Sequence, residues 1–93
     1  MTVSRVRIRL LDTKDNGKRL KAIASITLDD QLIINDIKVI QGNNRMCVEF
    51  PKHQFAKVSQ FEYIVPTSRS ARNMFETSIL KEYNHRLKLL NKR

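Results

Sequence analysis

The fold is decided by residues 20–44, whose sequence is LKAIASITLDDQLIINDIKVIQGNN. In its first half every second residue is apolar, which is the period of a β-strand with one buried face. These apolar positions are Leu20, Ala22, Ala24, Ile26 and Leu28. Residues 29–31 have the polar composition of a turn. Residues 32–40 form a second apolar run, and residues 41–44, which include Gly42, have the composition of a second turn. The stretch therefore predicts two antiparallel strands joined by a tight turn.

The two strands of this hairpin differ in how clearly their faces can be assigned. Ala22 and Ala24 are small, so we expect a bulky element to lie over them, and the C-terminal helix is the candidate. In residues 32–40 the apolar side chains fall on both faces of a strand. Either both faces are covered, or a β-bulge near Asn35 and Asp36 switches the phase of the strand.

A further strand is predicted before the central hairpin. Residues 5–10 alternate arginine with valine, isoleucine and leucine, which indicates a half-buried strand. Asn16 and Gly17 follow it, and Asn-Gly is the strongest short hairpin signal because both residues tolerate positive φ. We therefore expect the chain to turn there and to return as the strand that begins at Leu20.

More strands are predicted after the central hairpin. Residues 46–50 alternate apolar and other side chains and are stopped by Pro51, since proline cannot donate to a sheet ladder. Residues 52–59 are typical of an irregular connection. A short fifth strand, ended by Pro66, is predicted at Phe61, Tyr63 and Val65.

From about Ser68 the sequence has the period of an amphipathic helix. The repeating positions are Ala71, Phe75, Ile79, Tyr83 and Leu87. Ser68 and Ser70 are both candidate N-caps, because a hydroxyl can accept a hydrogen bond from the unpaired amides of a first turn. The predicted fold class is α+β, an antiparallel β-meander of four to five strands followed by one long C-terminal amphipathic helix, in a single domain over residues 1–93.

Positive charge is concentrated at the two ends of the chain. The 93 residues have a net charge of +9, of which residues 1–21 contribute +5, residues 22–65 contribute −1 and residues 66–93 contribute +5. A basic excess points first to a polyanionic partner, most often nucleic acid. The alternative is that the charge serves solubility, or association with ribosomes through bulk charge.

The sequence predicts a cytoplasmic protein. The single cysteine, Cys47, excludes an internal disulfide and suits a reducing compartment. Residues 1–9 alternate in charge and form no apolar core of a signal peptide. No apolar run approaches the roughly 20 residues that span a bilayer, so we expect no membrane partner.

Residues 20–44 also resemble the stage V sporulation protein G (SpoVG) family of bacteria. The matching segments are KAIASITLD at 21–29, DIKVI at 36–40 and GNN at 42–44. Further matches at similar spacings are Pro51, Pro66, Arg72 and the LKEY segment at 80–83. The likeness covers most of the chain and is densest in the central block.

The resemblance implies a homodimer of α+β fold that binds DNA, and RNA as well, and regulates gene expression in processes such as septation and sporulation. It implies no enzymatic activity, no cofactor and no small-molecule substrate. The nucleic-acid contacts implied by the match are Lys52, after the fourth strand, and Arg72, early in the helix. Lys57 and Arg69 are added because they are basic neighbours in the same two segments.

The loop at residues 52–59 departs from the family pattern. It reads KHQFAKVS, which is less basic and more apolar than the usual family loop and lacks its glycine. A different loop conformation is therefore expected here. The additional positive charge at both termini could compensate for the basic residues that the loop lacks.

Arg5, Arg7 and Arg9 are less favoured candidates for nucleic-acid contact. They lie on one face of the predicted first strand at intervals of about 6.6–6.8 Å, so they could follow a phosphate backbone. The alternative is an edge strand that its charges protect from aggregation.

Other side chains give weaker signals. The basic residues near the C-terminus are expected to be solvated, and His53 and His85 have too few companions to predict a metal site. Cys47 is expected to be packed or to face a dimer partner.

A protein-interaction adaptor is the alternative function. It would use the mixed apolar faces of residues 32–40 and the loop around Phe55 as its partner surface. A hydrolytic or redox enzyme has almost no support in the sequence.

Overall fold

The part of the chain that the structure describes folds into one antiparallel sheet and one long helix. A computed structural model describes residues 1–11, 19–52 and 63–91. Its elements are β1 (Val3–Leu10), β2 (Leu20–Leu28), β3 (Leu32–Gln41), β4 (Met46–Glu49) and α1 (Arg69–Asn91). The strands lie in the order β1-β2-β3-β4, and each pairs antiparallel with the next. The predicted α+β fold class, a β-meander followed by one C-terminal helix, is confirmed.

The turn between β2 and β3 has the geometry that its sequence indicates. Asp29 and Asp30 both have positive φ, at 50° and 55°. The amide of Gln31 donates a hydrogen bond of 2.9 Å to the carbonyl of Leu28. Two successive residues with positive φ are typical of a type I′ turn, whose twist matches that of the flanking strands, and aspartate tolerates this region well.

A β-bulge in β3 resolves its ambiguous phase. Ala24 pairs with Ile37, whereas Ile26 pairs with Ile34, so one residue of β2 lies opposite two of β3. Asp36 is one of those two and has a φ of 62°. The extra residue lets both Ile34 and Ile37 face the core, although they are three positions apart. Of the two alternatives from the sequence, the bulge near Asn35 and Asp36 is correct.

The core lies between the sheet and α1. The helix packs across β1, β2 and β4, and Ala22 and Ala24 are buried completely beneath it. Ile79 of the helix is also fully buried, and the ring of Phe75 meets that of Phe50 edge to face, with centroids 5.8 Å apart. The small alanines thus allow the helix to approach the sheet, as the sequence predicts.

The N-terminus of α1 is capped by Ser68. Its hydroxyl accepts a hydrogen bond of 3.0 Å from the amide of Ala71, and its carbonyl accepts the first helical bond, from Arg72. Ser70, the other candidate cap, lies inside the helix. Because the cap satisfies one of the unpaired first-turn amides, it fixes where the helix begins.

The sequence predicts a short fifth strand at Phe61, Tyr63 and Val65. Residues 63–65 form no strand, although the amide of Tyr63 donates to the carbonyl of Pro51 at 3.1 Å. Phe61 and the hairpin at Asn16 and Gly17 lie outside the described residues.

Among the residues that the structure does describe, no helix combines the length and the apolar composition needed to cross a bilayer.

Candidate nucleic-acid interface

The basic residues predicted after β4 and at the start of α1 lie where the helix meets the edge of the sheet. Arg69 is the first residue of α1 and is exposed. Lys52 is also exposed, and its Nζ lies 3.5 Å from Oε1 of Glu49. Arg72 reaches across from the helix to β4. Lys57 lies outside the described residues.

Arg72 attaches the helix to the sheet. Its Nη2 donates a hydrogen bond of 3.2 Å to the carbonyl of Val48, and its Nε lies 3.8 Å from Oε2 of Glu76, one helical turn further on. The side chain is still 42% exposed. Arg72 therefore has a structural role that the sequence match did not reveal, and part of its guanidinium remains accessible to an anion.

Glu76 is the buried charged residue at this junction, with 4% of its surface exposed. Its Oε2 accepts a hydrogen bond of 3.5 Å from the amide of Val48, and its Oε1 lies 3.7 Å from Nη2 of Arg45. Burying a carboxylate is costly unless charged and hydrogen-bonding partners accompany it. Here two guanidiniums and one backbone amide do so.

Together, Arg72 and Glu76 cover the open edge of the sheet. β4 is an outer strand, and the edge of a sheet presents unpaired amide and carbonyl groups. Glu76 accepts from the amide of Val48, and Arg72 donates to its carbonyl. The helix thus satisfies both backbone groups of Val48 and protects that part of the edge from pairing with another chain.

Arg45 is a candidate site residue that the sequence analysis missed. It lies in the turn between β3 and β4, where its carbonyl accepts a hydrogen bond of 2.8 Å from the amide of Gly42. A side chain at position 42 would place its Cβ 2.8 Å from that same carbonyl oxygen, which accounts for the glycine. The side chain of Arg45 is 72% exposed. Its partner Glu76 is 31 positions away, so no spacing pattern in the sequence links the two.

Carboxylates compensate part of the positive charge here. Glu49 lies within 4 Å of Lys52, and Glu76 lies near both Arg45 and Arg72. Within the described residues, Arg69 has no such partner. We call the four basic residues Arg45, Lys52, Arg69 and Arg72 the junction surface. The four positive charges of this surface outnumber the two neighbouring carboxylates, Glu49 and Glu76, so the surface can attract an anion.

The three arginines of β1 lie on the face of the sheet that is turned away from the helix. Arg5, Arg7 and Arg9 are exposed, and they stand beside Thr27, Ser25 and Ile23 of β2. Within the described part of the chain, none has a carboxylate partner. β1 is an outer strand, which agrees with protection of the edge, and its exposed guanidiniums are also accessible to phosphate.

Few other groups in the described residues suggest chemistry. Burial raises the pKa of Tyr83 above its ordinary value. Cys47 is half-buried and lies beside Ile40 on the sheet face away from the helix. No three histidine, cysteine, aspartate or glutamate side chains come together in the described part of the chain, and His53 lies outside it.

Comparison with known proteins gives a consistent result. The sequence profile of the SpoVG family matches residues 1–85. A protein named "Putative septation protein SpoVG" from Finegoldia magna is 40% identical over 84 residues, which is 90% of this chain and 75% of that protein. The protein of the same name from Geobacillus thermodenitrificans is 39% identical over 87 residues, covering 94% of this chain and 86% of that protein. The Borrelia hermsii protein, again of that name, is 36% identical over 84 residues, covering 89% and 86%.

Proposed function

Because the chain belongs to the SpoVG family, we propose that it is a nucleic-acid-binding regulator that acts on DNA, RNA or both as a homodimer. The names of its relatives describe septation proteins rather than enzymes. The process that it regulates would then be of the septation or sporulation type. The net charge of +9 supports a polyanionic partner.

The observation that carries this proposal is the exposed Arg69 at the first position of α1. A helix N-terminus has unpaired amides and a positive dipole end, which favour anions. Ser68 occupies one amide of the first turn, that of Ala71. Arg69 has no carboxylate partner within the described residues and adds its charge at this place. Lys52 and Arg72 extend the basic surface toward β4.

The open face of the sheet supports the proposed homodimer. The helix covers one face, and on the other face Ile23 and Ile40 are only half-buried. Half-buried Leu20 lies with them rather than on the face of Ala22 that its alternation predicts, because a register shift between Leu20 and Ala22 pairs it with Ile40. A chain of this size buries roughly 60–65% of the surface that it exposes when unfolded, so association with a second copy would add to a small core. Cys47 lies on the same face, as a dimer-facing thiol would. Light scattering of the purified chain should give the mass of a dimer, and a monomer at all concentrations would contradict this part of the proposal.

The test of nucleic-acid binding is a gel shift at several salt concentrations with the Arg69→Ala/Arg72→Ala double variant. Phosphate contacts release counterions, so each lost contact should lower the slope of log K against log salt by about 1. The double variant should therefore bind more weakly. Because each copy loses two phosphate contacts, the slope should be about 2 units shallower per copy and about 4 units shallower for the dimer. Arg86→Ala is the matched control, since Arg86 is an exposed arginine near the other end of the helix. Unchanged affinity and slope in the folded double variant would contradict the assignment.

A protein-interaction adaptor is the second candidate function. Leu32 and Ile33, at the start of β3, are 59% and 61% exposed and could contact a protein partner. This alternative predicts that the chain retains neither DNA nor RNA at low salt but captures one specific protein. Replacing Leu32 and Ile33 with serine should abolish that capture, whereas it should leave nucleic-acid binding unchanged if the first proposal is correct.

A further inference from the structure

Two guanidiniums of the junction surface share one buried carboxylate. Oε1 of Glu76 faces Arg45 at 3.7 Å, and Oε2 faces Arg72 at 3.8 Å. Both distances exceed those of a hydrogen bond, so these are contacts between charges. The three groups together have a charge of +1, and the two arginines reach the carboxylate from different elements, a turn and a helix.

We propose that Arg45 is a further phosphate-binding residue of this surface, and that Glu76 is its internal counter-ion, which a nucleic-acid phosphate replaces. The inference rests on the proposed nucleic-acid binding. It adds a residue that neither the resemblance nor the spacing of the sequence assigns, and it gives the buried carboxylate a role in setting affinity.

The contacts of Arg45 make it available to a phosphate. A guanidinium has five N–H donors, and Arg45 directs one terminal nitrogen toward Glu76 without a hydrogen bond. Its side chain is 72% exposed, compared with 42% for Arg72. The tight turn closed by Gly42 fixes its backbone, so the side chain projects from a defined position. Guanidinium and phosphate can then form a bidentate pair.

The surroundings of Glu76 allow this exchange at little cost. The carboxylate is too deeply buried for a phosphate to approach it, so Arg45 is the partner that moves. When Arg45 turns outward, Glu76 keeps the charge of Arg72 and the hydrogen bond from the amide of Val48. The buried carboxylate is therefore never left without a partner, which would be strongly destabilising.

The test compares Arg45→Ala, Arg45→Lys and Arg86→Ala in the 93-residue chain. The probes are a short mixed-sequence DNA duplex and a single-stranded RNA of equal length. A slope of about 0.9 per phosphate means that each contact contributes about 3.5-fold to the loss of duplex affinity between about 50 and 200 mM salt. Arg45→Ala should remove that contribution for each copy bound, Arg45→Lys should restore most of it, and Arg86→Ala should leave the slope unchanged. Equal slopes for Arg45→Ala and Arg86→Ala, with wild-type binding intact, would overturn the inference.

Glu76→Gln tests the counter-ion role. Glutamine keeps an oxygen for the amide of Val48 but removes the negative charge, so both arginines should be more available to phosphate. We expect binding that is tighter by about 2- to 5-fold at low salt, with the fold verified by circular dichroism. Unchanged or weaker binding by the folded variant would overturn the counter-ion role. Absence of any binding by the wild-type chain would instead refute the proposed function, so the two failures are distinguishable.

Discussion

Replacement of Arg72 by alanine should weaken the fold as well as the binding of nucleic acid. The variant loses the hydrogen bond from Nη2 to the carbonyl of Val48 and the charge contact with Glu76. A hydrogen bond with a charged partner is worth about 1.5–3 kcal/mol, and the partial exposure of Arg72 places it at the lower end. The contact with Glu76 adds about 0.2–1 kcal/mol, because solvent screens it. We therefore expect a loss of about 2 kcal/mol in the free energy of unfolding.

This loss can be measured by urea denaturation followed by circular dichroism. In a chain of this size it corresponds to a decrease in Tm of about 8–16 °C. A domain of 93 residues typically has a stability of about 5–14 kcal/mol, so the variant should still fold. All variants must be compared at one protein concentration, since association would contribute to the apparent stability.

Arg69→Ala is the matched control, because Arg69 lies on the same helical turn but has no carboxylate partner within the described residues. Its stability should stay within about 0.5 kcal/mol of the wild type. Arg72→Lys keeps the charge but not the reach of the guanidinium, so it should lose stability while retaining more of the affinity for nucleic acid. Equal stabilities for Arg72→Ala and Arg69→Ala would refute the attachment of the helix to β4 through Arg72.

Three further predictions test the fold. Ser68→Ala removes the N-cap of α1 and should cost about 1 kcal/mol in the free energy of unfolding, whereas Ser70→Ala should cost much less; equal effects in urea titrations would contradict the observed cap. Ile79→Ala leaves a cavity beneath the helix and should cost about 2–5 kcal/mol, measured in the same way, and a loss below 1 kcal/mol would mean that the helix does not pack as described. Tyr83→Phe tests a pH dependence. Burial raises the pKa of Tyr83, so the unfolded chain releases its phenolic proton first and the folded state loses stability as the pH rises above about 10. The phenylalanine variant should lose less stability over that range, and identical alkaline profiles would contradict this.

The sequence was sufficient to predict the elements whose patterns are local. The alternation of residues 20–28 and the turn at Asp29 and Asp30 predicted a hairpin that the structure confirms. The helical period after Ser68 predicted α1 equally well. The sequence indicated where β3 could have a β-bulge, but it could not show whether the strand has that bulge or is instead covered on both faces. Apolar residues on both faces of β3 are compatible with either arrangement. The bulge became evident only when the register with β2 was known.

The candidate site was less predictable because its contacts join distant parts of the chain. Arg72 was found through the family match, but its bond to Val48 spans 24 positions and leaves no local pattern. Glu76 is buried against β4 only because of how the helix packs, so no local pattern predicts its role. Arg45 is one basic residue in a turn, and only the position of Glu76 distinguishes it from any exposed arginine.

The most direct test of the central claim is the slope of log K against log salt for the wild-type chain on a DNA duplex. If two copies each contribute Lys52, Arg69 and Arg72, with or without Arg45, six to eight phosphates are neutralised, and the slope should be about −5 to −7. That result would show that the affinity comes from six to eight phosphate contacts, which is the number that the junction surfaces of two copies would supply. A slope near zero, or no binding at about 50 mM salt, would contradict the account.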